Sequence, residues 1–277
     1  MNYEELLTYG EEQLERCDIE NAKGDAFTLL EMVTGVNRTT YFLVSKDLVE
    51  EPLEKQYKES IEKRKQHIPL QYITGVQCFM GYDFHVTEDV LIPRYDTEVL
   101  VEEVLKLIHG NCRVLDMCTG SGCIIVSLKC MKPDILATGS DVSEPALLVA
   151  KENAKNNKAE VTFVLSDLFD EIGERYDIIV SNPPYIPSGV IESLDREVKL
   201  HEPYSALDGK EDGLYFYRKI IEQSKNHLNQ QGWICFEIGY DQGKEVSGLL
   251  KDAGFEHIYV KKDLAGLDRV VIGKKGR

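Results

Sequence analysis

The sequence predicts an α/β fold: a mostly parallel, seven-stranded sheet covered by helices and preceded by a small all-helical domain. Three observations lead there. At 277 residues the chain exceeds the common size of one domain, so a large unit with a smaller companion is expected. From about residue 112 onward, strand-like and helix-like stretches alternate, the pattern of parallel strands joined by crossover helices. Before residue 65, apolar residues fall at helical spacing.

In chain order, Leu6, Leu7 and Leu14, then Ala26, Phe27, Leu29, Leu30, Met32 and Val33, mark successive helices, punctuated by Asn21, Gly24, Gly35 and Pro52. They define a helical domain over 1–68. Residues 69–94 read as a connector. There Gln71-Tyr72-Ile73-Thr74-Gly75, followed by alternating Phe79, Tyr82, Phe84 and Val86, points to a hairpin or short strands rather than helix. The third region, 95–277, opens with a helix over about 97–108, with Asp96 as its candidate N-cap and Val101, Val104, Leu105 and Ile108 on its apolar face. Strands are expected at 112–117, 135–141, 161–165, 176–181, 232–239, 255–261 and 268–273, with helices at about 121–131, 143–157, 213–229 and 241–253.

Composition narrows the class. Apolar residues make up 43% and charged residues 29%, as in ordinary folded, soluble proteins. No apolar run is long enough to span a bilayer, and the acidic start (Glu4, Glu5, Glu11, Glu12) is unlike a signal or transit peptide, so a cytoplasmic location without membrane attachment is expected. Seven scattered cysteines in a chain of this size read as reduced thiols. Cys112, Cys118, Cys123 and Cys130 lack a C-x-x-C pair or a histidine at ligand spacing, so no metal site is expected. The formal charge of −16, spread over both the helical segment and the remainder, disfavours direct nucleic-acid binding, which needs a basic surface. Nothing demands more than a monomer.

The strand at 112–117 runs through Asp116 into Cys118-Thr119-Gly120-Ser121-Gly122, where a helical pattern begins. Such a turn lets a ligand approach the backbone and aims helix N–H groups at an anion. The next strand ends in Asp141, where a carboxylate can accept from both ribose hydroxyls of an adenosine ligand, and the third ends near Ser166-Asp167-Leu168. Each residue alone has a plainer reading: a chain turn at Gly120 and Gly122, a helix cap at Asp141, a turn cap at Asp167. In this order they favour an adenosine-containing cofactor. A full G-x-G-x-x-G is absent, since Ile125 stands where the third glycine would, which argues against a nicotinamide dinucleotide.

The fourth strand runs into Asn182-Pro183-Pro184-Tyr185. Two prolines remove two donors and restrict the backbone, so the carbonyls of this loop are held ready to accept from a ligand. A conjugated amide or amine nitrogen has a delocalised lone pair and needs help to attack a methyl group. The Asn182 side-chain oxygen and the Pro183 carbonyl can each accept one of its hydrogens, while the Tyr185 ring stacks on the planar group. No histidine or cysteine base is required, because an alkylated amide loses its proton readily to water. The plainer reading is a proline turn with Tyr185 as core filler.

With Asp116 to Gly122, Asp141 and Asn182 to Tyr185 in place, the chain resembles the Rossmann-like class I methyltransferases that modify the glutamine of peptide chain release factors. The N-P-P-Y motif is shared with adenine-N6 DNA methyltransferases, so it speaks to chemistry rather than substrate. The narrower match lies in Pro69-Leu70-Gln71-Tyr72-Ile73-Thr74-Gly75, Leu91-Ile92-Pro93-Arg94 with Asp96-Thr97-Glu98, Glu202-Pro203 with Ala206-Leu207, Asp212-Gly213-Leu214, and Glu237-Ile238-Gly239. The resemblance implies transfer of methyl from S-adenosyl-L-methionine to the side-chain nitrogen (N5) of the glutamine in the Gly-Gly-Gln loop of release factors, with the N-terminal helices gripping the protein substrate. It also implies that Cys118, Thr119, Gly120, Ser121 and Gly122 form the cofactor loop, Asp141 takes the ribose, Asp167 and Leu168 border the adenine, and Asn182, Pro183, Pro184 and Tyr185 hold the glutamine amide, Asn182 also bordering the cofactor. The family usually has glycine at the position of Cys118, and some relatives an aromatic at that of Leu168. The alternatives are an adenine-N6 nucleic-acid methyltransferase, which would need a basic target-recognition region, and a noncatalytic cofactor-binding protein of the same fold.

Overall fold

The computed structural model describes residues 1–276. In chain order the helices are α1 (Tyr3–Glu15), α2 (Ala22–Thr34), α3 (Arg38–Val44), α4 (Glu51–Lys65), α5 (Leu70–Thr74), α6 (Glu98–Leu107), α7 (Cys123–Met131), α8 (Glu144–Asn156), the short turns α9 (Ser188–Ile191), α10 (Arg196–His201) and α11 (Tyr204–Leu207), then α12 (Tyr215–His227) and α13 (Gly243–Asp252). The strands are β1 (Val76–Phe79), β2 (Tyr82–His85), β3 (Arg113–Met117), β4 (Leu136–Asp141), β5 (Val161–Leu165), β6 (Tyr176–Ser181), β7 (Leu228–Glu237), β8 (Phe255–Lys262) and β9 (Asp268–Lys275). The chain divides into two compact units: Met1–Gly75 with Asp195–His201, and Val76–Leu194 with Glu202–Arg277.

The first unit is all helical. Asn2 and Glu5 form a reciprocal capping box at the start of α1, which satisfies two otherwise orphaned donors. Leu6, Leu14, Ala26, Leu29, Leu30, Tyr57 and Ile61 are fully buried between α1, α2 and α4. Gly10 is required by packing, because a Cβ there would sit 1.9 Å from the Tyr57 hydroxyl oxygen. The buried Arg64 guanidinium donates to Asp25 Oδ2 at 2.8 Å and to the Ile68 carbonyl at 3.1 Å, and it pairs with Glu197 of α10. A charge this deep is tolerated only when its donors are met in this way.

The second unit contains the β1–β2 hairpin and a seven-stranded sheet in the order β5-β4-β3-β6-β7-β9-β8. Neighbours from β5 through β7 run parallel, and β9 is antiparallel to both β7 and β8. Side chains alternate between two cores, as strand geometry requires. Val114, Ile178 and Val180 join α6, α7 and the hairpin aromatics Phe79 and Phe84, whereas Leu115, Ile179 and Phe236 join Tyr217, Ile220 and Val246 of α12 and α13. From β3 the chain moves outward through β4 and β5, then returns to the other side of β3 as β6. Order reverses between β3 and β6, and the crevice above such a reversal is where open α/β sheets bind ligands.

Three local expectations are corrected. Residues 70–74 form a helix, not a strand, because Pro69 leads into it with φ −51° and Gly75 ends it in the left-handed conformation at φ 76°. Asp96 does not cap α6: a 3-10 turn over Tyr95–Thr97 precedes the helix, Thr97 stands at the N-cap, and Asp96 pairs instead with Arg269 at 3.1 Å. Strand β7 also begins at Leu228, earlier than its apolar run suggests.

Candidate active site

The candidate cofactor loop, Cys118–Gly122, is built from the carboxyl end of β3. Asp116 is fully buried and accepts from the Thr119 hydroxyl at 2.5 Å, while its Oδ1 has no hydrogen-bond partner among the described residues. Burial, opposed by the Thr119 bond, pushes this carboxyl up to about 7. Thr119 N–H donates to the Ser140 carbonyl at 2.9 Å, tying the loop to β4. Cys118, Gly120 and Gly122 all lie at positive φ (60°, 54° and 78°). A Cβ at Gly122 would also press on Ala150 Cβ at 3.1 Å, whereas nothing lies within 4 Å of one at Gly120. The Gly120 backbone is thus open to a ligand.

Asp141 joins loop and helix: its Oδ2 accepts from Gly120 N–H and its Oδ1 from Ser143 N–H, each at 2.9 Å. Burial again raises its carboxyl, against the pull of these N–H groups. Ser143 itself caps α8 by accepting from Ala146 N–H. Ser166 shapes the next turn, donating to the Leu168 carbonyl at 2.8 Å and accepting from Glu171 N–H at 3.0 Å, with Leu168 at φ 51°. Asn153, fully buried on α8, donates to the carbonyls of Ser121 and His85 and accepts from His85 N–H. It therefore holds the cofactor loop against the hairpin.

The loop after β6 is anchored differently. Ser181, beneath it, donates to the Met117 carbonyl at 2.6 Å. Asn182 Nδ2 approaches Thr97 Oγ1 at 3.5 Å, and the Glu237 carboxyl hydrogen-bonds with both Thr97 and Asn182. Ile186 N–H donates to the Leu207 carbonyl and Gly209 N–H to that of Ile186, at 3.0 and 2.8 Å. Gln242 donates to the Tyr185 carbonyl at 3.0 Å and accepts from Gly239 N–H at 3.0 Å. Gly213, at φ 72°, passes so close that a Cβ would meet the Tyr185 carbonyl oxygen at 2.3 Å. The Ala206-Leu207 and Asp212-Gly213-Leu214 blocks are therefore the bed on which the Asn-Pro-Pro-Tyr loop lies.

One cavity at the strand ends brings most of the expected residues together. Its walls include Cys118, Thr119, Gly120, Ser121, Asp141, Asp167, Leu168, Asn182 and Pro184. Gly122, Pro183 and Tyr185 are not on its wall; Pro183 is buried, and Tyr185 packs against the α12–α13 core, where burial pushes its phenol well above the usual range. Wall residues that sequence reasoning gave no role include Val142, Pro203, Ala206 and Phe216, along with Arg94, which pairs with the buried Glu202. Arg94 and Glu202, oppositely charged residues in two of the family blocks, were the available signal; Asn153 and Gln242 carried none, since they act on backbone groups.

Residues 5–75 match the family model PrmC N-terminal domain, and residues 95–194 the model Methyltransferase small domain. The release factor glutamine methyltransferase of Geobacter sulfurreducens is 42% identical over 93% of this chain and 91% of its own length. The chain belongs to the release factor glutamine methyltransferase family. The enzyme of that name from Clostridium botulinum is 40% identical over 99% of this chain and all of its own length. A methyltransferase from Pyrococcus furiosus, 17% identical, shares the fold with a TM-score of 0.54 over 71% of this chain and 90% of its own. Family membership makes this chain a methyltransferase on a Rossmann-like scaffold.

Proposed function

We propose that the chain transfers the methyl group of S-adenosyl-L-methionine to the N5 amide nitrogen of the glutamine in the Gly-Gly-Gln loop of peptide chain release factors. The observation that carries this reading is the placement of Asn182, from the Asn-Pro-Pro-Tyr loop, on the same cavity wall as Cys118 to Ser121 and Asp141. Family membership then favours a glutamine amide over a nucleobase, and the charge of −16 points the same way.

The residues present fit the cofactor. The open space at Gly120, the left-handed loop, and the buried Asp116 Oδ1 and Ser140 Oγ, both without partners among the described residues, are features of a polar cradle. Cys118 to Gly122 would border its methionine part, Asp141 its ribose hydroxyls, and Asp167 and Leu168 its adenine. When bound, the cofactor supplies an electrophilic methyl carbon on a sulfonium.

The remaining chemistry belongs to the chain. Asn182 Oδ1, on the cavity wall, accepts one N–H hydrogen of the glutamine amide and the backbone carbonyl of the adjoining Pro183, whose ring is buried off that wall, is assigned the other, which orients the nitrogen and raises its electron density. Pro184, on the cavity wall, and Tyr185, behind it, hold that geometry. Alignment of nitrogen with methyl carbon supplies much of the remaining acceleration. The proton leaves to water after transfer. The exposed Phe42 and Leu43 of α3 support a protein-gripping role for the helical unit, since large apolar side chains exposed side by side mark interaction surfaces.

The test is incubation with methyl-labelled cofactor and purified release factor, followed by mass spectrometry. A single methyl on the glutamine of the Gly-Gly-Gln peptide is expected. An unlabelled peptide, or label on nucleic acid instead, overturns the reading.

A further inference from the structure

Glu237 lies at the end of β7, 2% exposed, and its Oε2 has no hydrogen-bond partner among the described residues. Thr97 and Asn182 are the side chains that hydrogen-bond to its carboxyl. Arg269 and Asp96 act on it only through longer-range charge, and Arg269 is already engaged with Asp96 and Asp263, each at 3.1 Å. A carboxyl buried without a dedicated ion-pair partner is costly to the fold, and such groups gather at functional sites.

The geometry points to Glu237 as the positioning residue that fixes which end of the Asn182 amide faces the cavity. This inference rests on the methyl-transfer reading above. A carboxamide has an acceptor end and a donor end of nearly the same shape, so its neighbours decide the orientation. An ionised carboxylate is acceptor-only. Set beside Asn182, it draws the NH2 end toward itself and Thr97 and repels the oxygen end. The Thr97 hydroxyl donates to Glu237 and offers its lone pair to Asn182 Nδ2, which lies 3.5 Å away. Asn182 Oδ1 is then left toward the cavity that Asn182 and Thr97 both line, where a substrate N–H needs an acceptor. In the flipped amide the NH2 group would confront the substrate's own NH2, and transfer would stall. Burial opposes ionisation, pushing the Glu237 carboxyl up to about 7, so the acceptor-only carboxylate predominates above that pH.

Glu237→Met keeps length and bulk while removing the acceptor. Its kcat is expected to fall by about 10- to 100-fold, as for a small misplacement of a reacting group, while cofactor affinity and the KM for release factor stay within about 2-fold. In an Asn182→Ala background the same substitution is expected to cost no further kcat, because the two residues act as one unit. Thr97→Val should give a smaller kcat loss with the same unchanged affinities, and it serves alone if Glu237→Met does not fold. Wild-type kcat in Glu237→Met, or a loss that persists undiminished without the Asn182 amide, overturns the assignment. A wild-type protein that leaves the Gly-Gly-Gln peptide unmethylated would instead sink the functional reading, so the two failures are distinct.

Discussion

The proposed cofactor loop and the proposed transfer loop end adjacent parallel strands, yet they are held by opposite means. Cys118–Gly122 is stiffened locally, by three left-handed residues and by N–H bonds to Ser140 and Asp141 of the next strand. Asn182–Tyr185 contains two prolines with no N–H to give, and it is held from outside by Thr97, Glu237 and Gln242 and by the close passage of Gly209 and Gly213. A locally stiffened loop suits a ligand read mainly through backbone groups. A loop anchored by distant side chains suits a reacting group whose orientation must be set to within a fraction of an ångström. Damage to the first should therefore appear in binding and damage to the second in turnover.

The largest expected effect tests that division directly. Asn182→Ala removes the proposed acceptor for the reacting nitrogen and should lower kcat by about 100- to 1000-fold, with cofactor affinity, read by calorimetry, nearly unchanged. Asp141→Ala should do the reverse, weakening cofactor binding about 10- to 100-fold by losing both the proposed ribose acceptor and the Gly120 anchor, with kcat at saturating cofactor largely kept. If both variants lost affinity alike, the two loops would not be separable.

Each loop also rests on a buried carboxyl, Asp116 under the first and Glu237 under the second, and burial holds both up to about 7. Both folded-state values exceed those of an unfolded chain. Below about pH 4 the proton is on in both states, and no penalty arises. As pH rises toward 7 the unfolded chain ionises first, so stability is lost progressively until the folded groups ionise too. Relative to wild type, Asp116→Asn and Glu237→Gln should gain thermal stability between pH 5 and pH 8, by up to about 3 kcal/mol each. A stability difference that does not change with pH would show that neither carboxyl carries its proton as burial implies.

Gln242 sharpens the comparison from the side of the transfer loop. Gln242→Leu leaves the Tyr185 carbonyl and the Gly239 N–H without their partners, which should cost about 2 kcal/mol of unfolding free energy. At temperatures where the variant stays folded, kcat should fall while the cofactor dissociation constant stays within about 2-fold of wild type. Equal losses in both would mean that Gln242 supports the whole crevice rather than one loop.

The same contrast explains what could be read from the sequence. Strands β3 to β6 and the glycine loop announce themselves, because alternation, left-handed glycines and a carboxylate at a strand end are local signals. So the crevice and most of its wall, from Cys118 to Leu168, were legible. The anchors of the transfer loop were not, since Thr97 and Gln242 act on partners 85 and 57 positions away. The family blocks at 206–207, 212–214 and 237–239 marked these regions without saying why. Pro69 and Gly75 enclosed a helix too short for periodicity to reveal. Asp96 looked like a helix cap only because its pairing with Arg269, from the last strand, is invisible to local reasoning.

The smallest expected effect concerns Cys118, where the family usually has glycine. At φ 60° a Cβ costs roughly 1 kcal/mol, while glycine would lose a similar amount through the greater freedom of the unfolded chain. The two nearly cancel, so Cys118→Gly should change stability by less than about 1 kcal/mol and cofactor affinity by less than about 3-fold. Burial keeps this thiol protonated, and Ser181 hydrogen-bonds to it. A tenfold loss of affinity in Cys118→Gly would show that this thiol contact, rather than the left-handed backbone, shapes the loop, and local stiffening would then no longer distinguish the cofactor loop from its neighbour.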